Sequence, residues 1–152
     1  MKHYDIKTLR PDQVQEFEQL VRLLADVFEI EDFTLPTQAH LKSVLAQPYL
    51  KAVAAYVGKE MVGGLTGYVL PQYYSEKPQF YLYDLAVLPT WQRKGVGKAL
   101  MQHLLEDCSI AGFEQLYVQA DADDKHAIDF YKATGGQDMA VWHFTYPTQP
   151  EG

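Results

Sequence analysis

Apolar residues recur along this chain at two spacings, and the changes between them divide it into elements. Residues 3 to 9 alternate as a strand does. Pro11 then suits the opening of a helix in which Val14, Phe17, Val21, Leu24 and Phe28 recur at three and four residues. Pro36 to Gln47 reads as a second helix, with Leu41, Val44 and Leu45 on its apolar side, stopped by Pro48. Ala52 to Val57 and Met61 to Leu70 form a hairpin about Gly58, Lys59 and Glu60. Gly63, Gly64 and Gly67 stand inside its second strand, where a bulge or a close backbone approach is expected. After the polar, aromatic loop Pro71 to Pro78, Phe80 to Leu88 is an apolar run predicted as a buried strand, which Pro89 ends. Val96, Leu100, Leu104 and Cys108, with Ala99 beside them, make one stripe of an amphipathic helix that Gly112 closes. A strand over Phe113 to Ala120 and a short helix over Lys125 to Ala133, closed by Gly135 and Gly136, come next. A last strand over Met139 to Tyr146 and a tail from Pro147 complete the pattern.

The order β-α-α-β-β-β-α-β-α-β predicts an α/β (α+β) fold, a mixed central β-sheet flanked by about four helices. At 152 residues the chain is expected to form a single domain over 1–152. A hydrophobic content of 47% and a charged content of 22% are ordinary for a soluble globular protein. No apolar run reaches membrane-spanning length, and the first residues lack a signal peptide's apolar core, so no membrane partner is expected. Cys108 is the single cysteine and lies on an apolar stripe, which predicts a small core residue and a reducing, cytoplasmic setting. The net charge of −7 argues against nucleic acid as a partner. It fits plain solubility, and equally a small polycationic partner. No Cys/His spacing suggests a metal, and no Ser-His-Asp order stands out.

Between the strand ending at Leu88 and the helix carrying Val96 lies a short loop with Arg93, Lys94, Gly95 and Gly97. Strand, glycine-rich basic loop and helix in that order make an anion site, because the first N–H groups of a helix lack intrahelical partners and glycines let a phosphate approach the backbone. Neither a dinucleotide fingerprint nor a Walker loop is present. Gln92-x-x-Gly95-x-Gly97 instead resembles the acyl-CoA pyrophosphate loop of the GNAT superfamily of N-acetyltransferases. The segment from Asp124 through Ala127, Phe130 and Tyr131 to Gly135 and Gly136 is similar to a second motif of that superfamily, with Asp124 in place of its asparagine. Tyr81-x-Tyr83-Asp84-Leu85-Ala86-Val87 and Tyr117-Val118-Gln119-Ala120-Asp121 look like the aminoglycoside 3-N-acetyltransferases of the GNAT type. Tyr68 to Pro71 and His143-Phe144 point the same way.

That resemblance implies a GNAT fold, acetyl-CoA as cosubstrate and transfer of acetyl to the 3-amino group of a 2-deoxystreptamine ring in a ternary complex, a reaction that confers antibiotic resistance. It also makes a homodimer an option. It implies that Gln92, Arg93, Lys94, Gly95, Val96, Gly97 and Lys98 hold the pyrophosphate, and that Leu85, Ala86 and Val87 pair with the pantetheine arm. Tyr131 becomes the candidate general acid; without the motif, an aromatic on a short helix reads as packing. A polyamine or peptide-amine N-acetyltransferase, or a non-catalytic acyl-CoA-binding module, shares these features of the CoA site.

Asp84 is the residue expected to meet the amine. It is the only charge in the run Phe80 to Leu88, where an unpaired carboxylate is costly to bury. It therefore needs a cationic partner, a hydrogen-bond network or a cleft open to water, and acts there as base or as ammonium anchor. Glu29, Glu31 and Asp32 in one loop and Asp121, Asp123 and Asp124 in another would form an acidic funnel if both border the cleft. Of these, Glu29, Asp32, Asp121 and Asp124, together with Tyr83 and Asp84, are the candidate substrate-binding residues; as single residues the acids read equally well as solvated loop carboxylates. Tyr73, Tyr74 and Tyr83 suit stacking on sugar faces. His143 is expected to be a core histidine of the last strand.

Overall fold

In the computed structural model, which describes residues 3–150, the alternating segments become strands β1 (Asp5–Thr8), β2 (Leu50–Val57), β3 (Glu60–Leu70), β4 (Gln79–Val87) and β5 (Gln115–Val118). The periodic segments become helices α1 (Val14–Val27), α2 (Gln38–Leu45), α3 (Val96–Ile110) and α4 (Lys125–Ala133). Thr37 caps α2 by accepting a hydrogen bond from the His40 N–H, and Asp124 caps α4 by accepting one from the Ala127 N–H. These residues form two compact units divided after Gln119.

The first unit holds the whole five-stranded sheet, in the order β1-β2-β3-β4-β5. Its first four strands pair antiparallel; β4 and β5 pair parallel and are joined through α3. One sheet face carries Ala52, Ala54 and Ala86, small residues that let Leu20, Leu23, Leu24, Leu41 and Leu45 of α1 and α2 pack closely. The other face packs against α3, whose Val96, Leu100 and Leu104 are buried. Each such fully buried aliphatic side chain contributes about 1.5–3 kcal/mol.

The glycines of β3 are explained by what lies over them. A Cβ at Gly64 would collide with Leu20 of α1 and sit 2.7 Å from the Val53 carbonyl oxygen; one at Gly67 would strike the Phe80 ring. Bulges occur in the same region. Ala55 pairs with Gly63 and Tyr56 with Met61, which leaves Val62 as an extra residue in β3. Thr66 pairs with Asp84 and Gly67 with Leu82, which leaves Tyr83 as an extra residue in β4.

The second unit contains α4, at the bounds the periodicity predicts. The expected strand over Met139 to Tyr146 is not formed: these residues pair with no strand of the described chain. Val141, Trp142 and Phe144 are exposed, and so is His143, which is therefore not a core histidine. Alternation supplies strand propensity, but a strand exists only where a ladder partner takes up its N–H and C=O groups.

Candidate active site

Side chains alternate along a strand, so Phe80, Leu82 and Asp84 would share one face if β4 were regular. Phe80 and Leu82 are fully buried and Gly67, opposite Leu82, faces the Phe80 ring. The extra residue Tyr83 shifts the alternation by one. Asp84 then stands opposite Thr66, two residues before Ala86 and Gly64, which face Leu20 of α1. The bulge thus takes the carboxylate off the buried α3 face and sets it beside the α1 side of the sheet.

There Asp84 is half-buried and makes no hydrogen bond or ion pair among the described residues. Burial pushes its carboxyl above the ordinary value. Of the alternatives open in the sequence, a neighbouring side chain as partner is therefore not what the fold supplies.

Beyond the bulge, β4 has an open edge. It stays paired to β3 as far as Val87, but its ladder with β5 runs only from Gln79 to Leu82. The backbone groups of Leu88 face β3, where its N–H meets Val62, so by alternation those of Ala86 also face β3 and those of Leu85 and Val87 face the side that β5 does not use. At the end of β4 the Leu88 N–H donates to the Val62 carbonyl (2.9 Å), and the Gln92 side-chain amide donates to the Val87 carbonyl (3.0 Å). A single 3-10 turn, Pro89–Trp91, leads into the loop.

In that loop Arg93 has φ 61° and Gly95 has φ 87°, both left-handed. Gly95 is the N-cap of α3, and no side chain caps the helix. The first intrahelical bond runs from the Ala99 N–H to the Gly95 carbonyl at 3.0 Å, so the N–H groups of Val96, Gly97 and Lys98 precede it. Arg93, Lys94 and Lys98 are exposed, with Lys94 over the Trp91 ring at 5.1 Å. Tyr4, just before β1, donates from its hydroxyl to the Lys94 carbonyl and its ring lies 3.9 Å from a Cβ position at Gly95. Sequence reasoning missed Tyr4, because a contact across 90 residues leaves no local signal.

The other predicted residues fall in separate places. Glu29 and Asp32 lie exposed between α1 and α2, each with a positive φ (52° and 53°). Tyr83 is 56% exposed and makes edge-on contacts with Tyr68 and Tyr81. Tyr73 and Tyr74 are exposed and packed together, their centroids 4.3 Å apart. Asp121, Asp124 and Tyr131 belong to the second unit. The Asp124 side chain is engaged in capping α4 at 3.1 Å, so it is not simply a solvated loop carboxylate. Tyr131 is partly buried on α4 against Phe130, at 5.2 Å. Cys108 is buried, and desolvation pushes its thiol up, which fits a core residue.

Three comparisons bear on this arrangement. Residues 17–135 match the model of the acetyltransferase (GNAT) family. The aminoglycoside acetyltransferase meta-AAC0020 from an uncultured soil metagenomic sample, solved in complex with sisomicin, superposes with a TM-score of 0.94. It is 41% identical, with 96% of this chain and 97% of that one covered. A second soil-metagenome aminoglycoside acetyltransferase, HMB0005, gives a TM-score of 0.90 at 31% identity, covering 97% of this chain and 100% of that one. Among curated relatives, the [ribosomal protein bS18]-alanine N-acetyltransferase of Escherichia coli K12 is 33% identical over 67 residues. That match spans only 44% of this chain and 45% of the relative. With the family model matched from α1 to the end of α4, the chain belongs to the acetyltransferase (GNAT) family.

Proposed function

We propose that this protein transfers acetyl from acetyl-CoA to an amine of an aminoglycoside, the 3-amino group of the 2-deoxystreptamine ring, and does so as one acetyltransferase domain. The observation that carries the reading is Asp84: a half-buried carboxylate without a partner, re-aimed by a bulge, immediately before an open strand edge. The family match running across both units supports a single functional domain. The likeness to a protein crystallised with sisomicin supports an aminoglycoside as acceptor.

The residues present fit acetyl-CoA as cosubstrate. Gly95 in the left-handed region turns the loop so that the Val96, Gly97 and Lys98 N–H groups lead α3, which suits a pyrophosphate. Gln92 tethers the loop to the end of β4, and Arg93, Lys94 and Lys98 add positive charge. The edge along Leu85, Ala86 and Val87, where β5 no longer pairs and only the Val87 carbonyl is taken, by Gln92, accepts an extended amide-bearing chain through Leu85 and the Val87 N–H in the manner of strand addition. When bound, the cosubstrate supplies an activated thioester.

Asp84 receives the acceptor's ammonium and takes its proton, leaving a neutral nitrogen to attack the carbonyl carbon. Its raised pKa makes it a stronger base than an exposed aspartate. As the C–N bond forms the C–S bond breaks; Tyr131, assigned from its motif, gives a proton to the departing sulfur, and the second proton that the nitrogen loses on becoming an amide makes up, through solvent, the one Tyr131 gave. Glu29, Asp32 and Asp121 add negative potential for a polyammonium substrate. Asp124 contributes its charge while serving as a helix cap.

A second reading, a peptide N-terminal amine as acceptor, is favoured by the partial match to the ribosomal-protein alanine acetyltransferase. The test is CoA-thiol release with acetyl-CoA and gentamicin, kanamycin, spermidine or an alanine-leading peptide. Release with gentamicin and a product acetylated at the 3-amino group is expected. Release with the peptide alone moves the assignment to the second reading, and release with none removes both.

A further inference from the structure

Five tyrosines lie in one continuous row on the first unit. Tyr49, which leads into β2, packs against Tyr68 of β3 at 6.4 Å. Tyr68 meets Tyr83 at 5.8 Å and 85°, and Tyr83 meets Tyr81 at 5.8 Å and 75°. Tyr81 stacks on Tyr117 of β5 at 4.8 Å and 8°. Tyr68 and Tyr81 are register partners on the face that Asp84 joins through the bulge. The row therefore crosses the sheet beside Asp84, on the same side as α1 and α2.

Cross-strand aromatic pairs stabilise sheets, and part of this row does that. Three observations exceed packing. Tyr83, at its centre, remains 56% exposed and Tyr49, at its end, 48%. The hydroxyls of Tyr49, Tyr68, Tyr83 and Tyr117 make no hydrogen bond among the described residues, whereas Tyr81 donates to the Gln119 side-chain oxygen at 2.8 Å. The Asp84 charge also lies close enough to push up both the Tyr68 and the Tyr81 phenols, secondary to their burial. Aromatic surface, available hydroxyls and a carboxylate thus converge.

We propose that this tyrosine row is a substrate subsite that holds the further rings of a multi-ring aminosugar whose accepting amine meets Asp84. The inference rests on the proposed aminoglycoside-acetylating function and extends it to the residues that hold the acceptor's other rings. Saturated rings bearing ammonium groups meet aromatic surfaces through their C–H faces and through cation–π attraction. Their hydroxyls take up the phenol groups. The five rings reach from the start of β2 across β3 and β4 to Tyr117 on β5, and with neighbouring strands about 4.8 Å apart that span outruns a single six-membered ring. A linear polyamine or a peptide terminus brings no further saturated ring to lie on Tyr117.

The test compares kanamycin, a three-ring ligand, with 2-deoxystreptamine, one ring, on the full chain. Binding is read by calorimetry and turnover by CoA-thiol release. Tyr117→Ala is expected to weaken kanamycin about tenfold relative to 2-deoxystreptamine, about 1.4 kcal/mol. Tyr117→Phe, which keeps the stack, restores most of that difference. Should Tyr117→Ala fail to fold, Tyr83→Ala, at the most exposed ring, carries the same comparison. Equal loss for both ligands, or none, overturns the subsite, as does a wild-type protein that binds no multi-ring aminosugar. Kanamycin binding that depends on Tyr117 without any acetylation upholds the subsite and removes the proposed reaction.

Discussion

Replacing Asp84 with asparagine tests the catalytic assignment and its energetic consequence together. Asparagine keeps the shape and cannot take a proton. Loss of a positioned general base typically costs 10²–10⁴-fold, which corresponds to about 2.7–5.5 kcal/mol of barrier. Binding of acetyl-CoA is expected to persist, because the Gln92 to Lys98 loop is held by Val87 and Tyr4 and not by Asp84. Stability moves the other way. Burial raises the folded-state pKa of Asp84 above its unfolded value, so between the two the folded state binds more protons and stability falls as pH rises. At neutral pH, above the unfolded value, ionisation favours the unfolded chain, so the buried carboxyl opposes folding. Asp84→Asn therefore raises Tm at pH 7 while lowering turnover, and the Tm difference between variant and wild type shrinks as pH drops below the folded-state pKa and vanishes below the unfolded one. In wild type, kcat/KM on the acid limb rises with pH with an apparent pKa above that of an exposed aspartate. Near wild-type turnover in the asparagine variant would refute the base. A lowered Tm at pH 7 would show that Asp84 has a stabilising partner, against the observed isolation of its carboxylate.

Further outcomes follow from the same geometry. Tyr4→Phe, which removes the hydroxyl donated to the Lys94 carbonyl, loosens the anion loop; KM for acetyl-CoA rises severalfold with kcat little changed, and an unmoved KM sinks the positioning role. Tyr131→Phe lowers kcat at constant aminoglycoside affinity, and an unchanged kcat relegates Tyr131 to packing on Phe130. Gly64→Ala forces a methyl group against Leu20 and the Val53 carbonyl, costing roughly 1–3 kcal/mol, and an unaltered melting temperature contradicts that close approach.

The order of elements was legible because local chemistry marks it. Pro89 ends β4, Gly112 closes α3 and α4 spans Lys125–Ala133, each at the predicted place. The glycine turn into α3 was legible for the same reason, since a helix N-terminus needs glycine only where the backbone turns left-handed. What depends on pairing was not. Trp142, Phe144 and Tyr146 have strand propensity, but none lies in the sheet, because propensity does not supply a neighbour. Tyr81 and Tyr117 were visible as residues, yet their stack depends on a parallel register across a helix and two turns.

Asp84 joins these two cases. That it would be an unusual, partly buried carboxylate could be read from the sequence, since one charge stood in an apolar run. Its orientation could not. Regular alternation puts it with Phe80 and Leu82, on the face that α3 seals, where an ionised carboxylate would be destabilising and out of reach of substrate. The extra residue Tyr83 reverses that side without altering composition. The same bulge sets the Tyr83 ring between Tyr68 and Tyr81. It lies where the β5 ladder stops and the β4 edge opens. One inserted position therefore accounts for the side on which the Asp84 carboxylate stands, the aromatic row beside it and the strand edge next to both. Deleting Tyr83 is predicted to make Asp84 follow Leu82 directly in a regular ladder, still opposite Thr66 and on the α1 side, so that turnover persists while the aromatic row loses its middle ring and multi-ring binding weakens. Loss of all turnover in that variant would show that the bulge does more than set the side of the carboxylate.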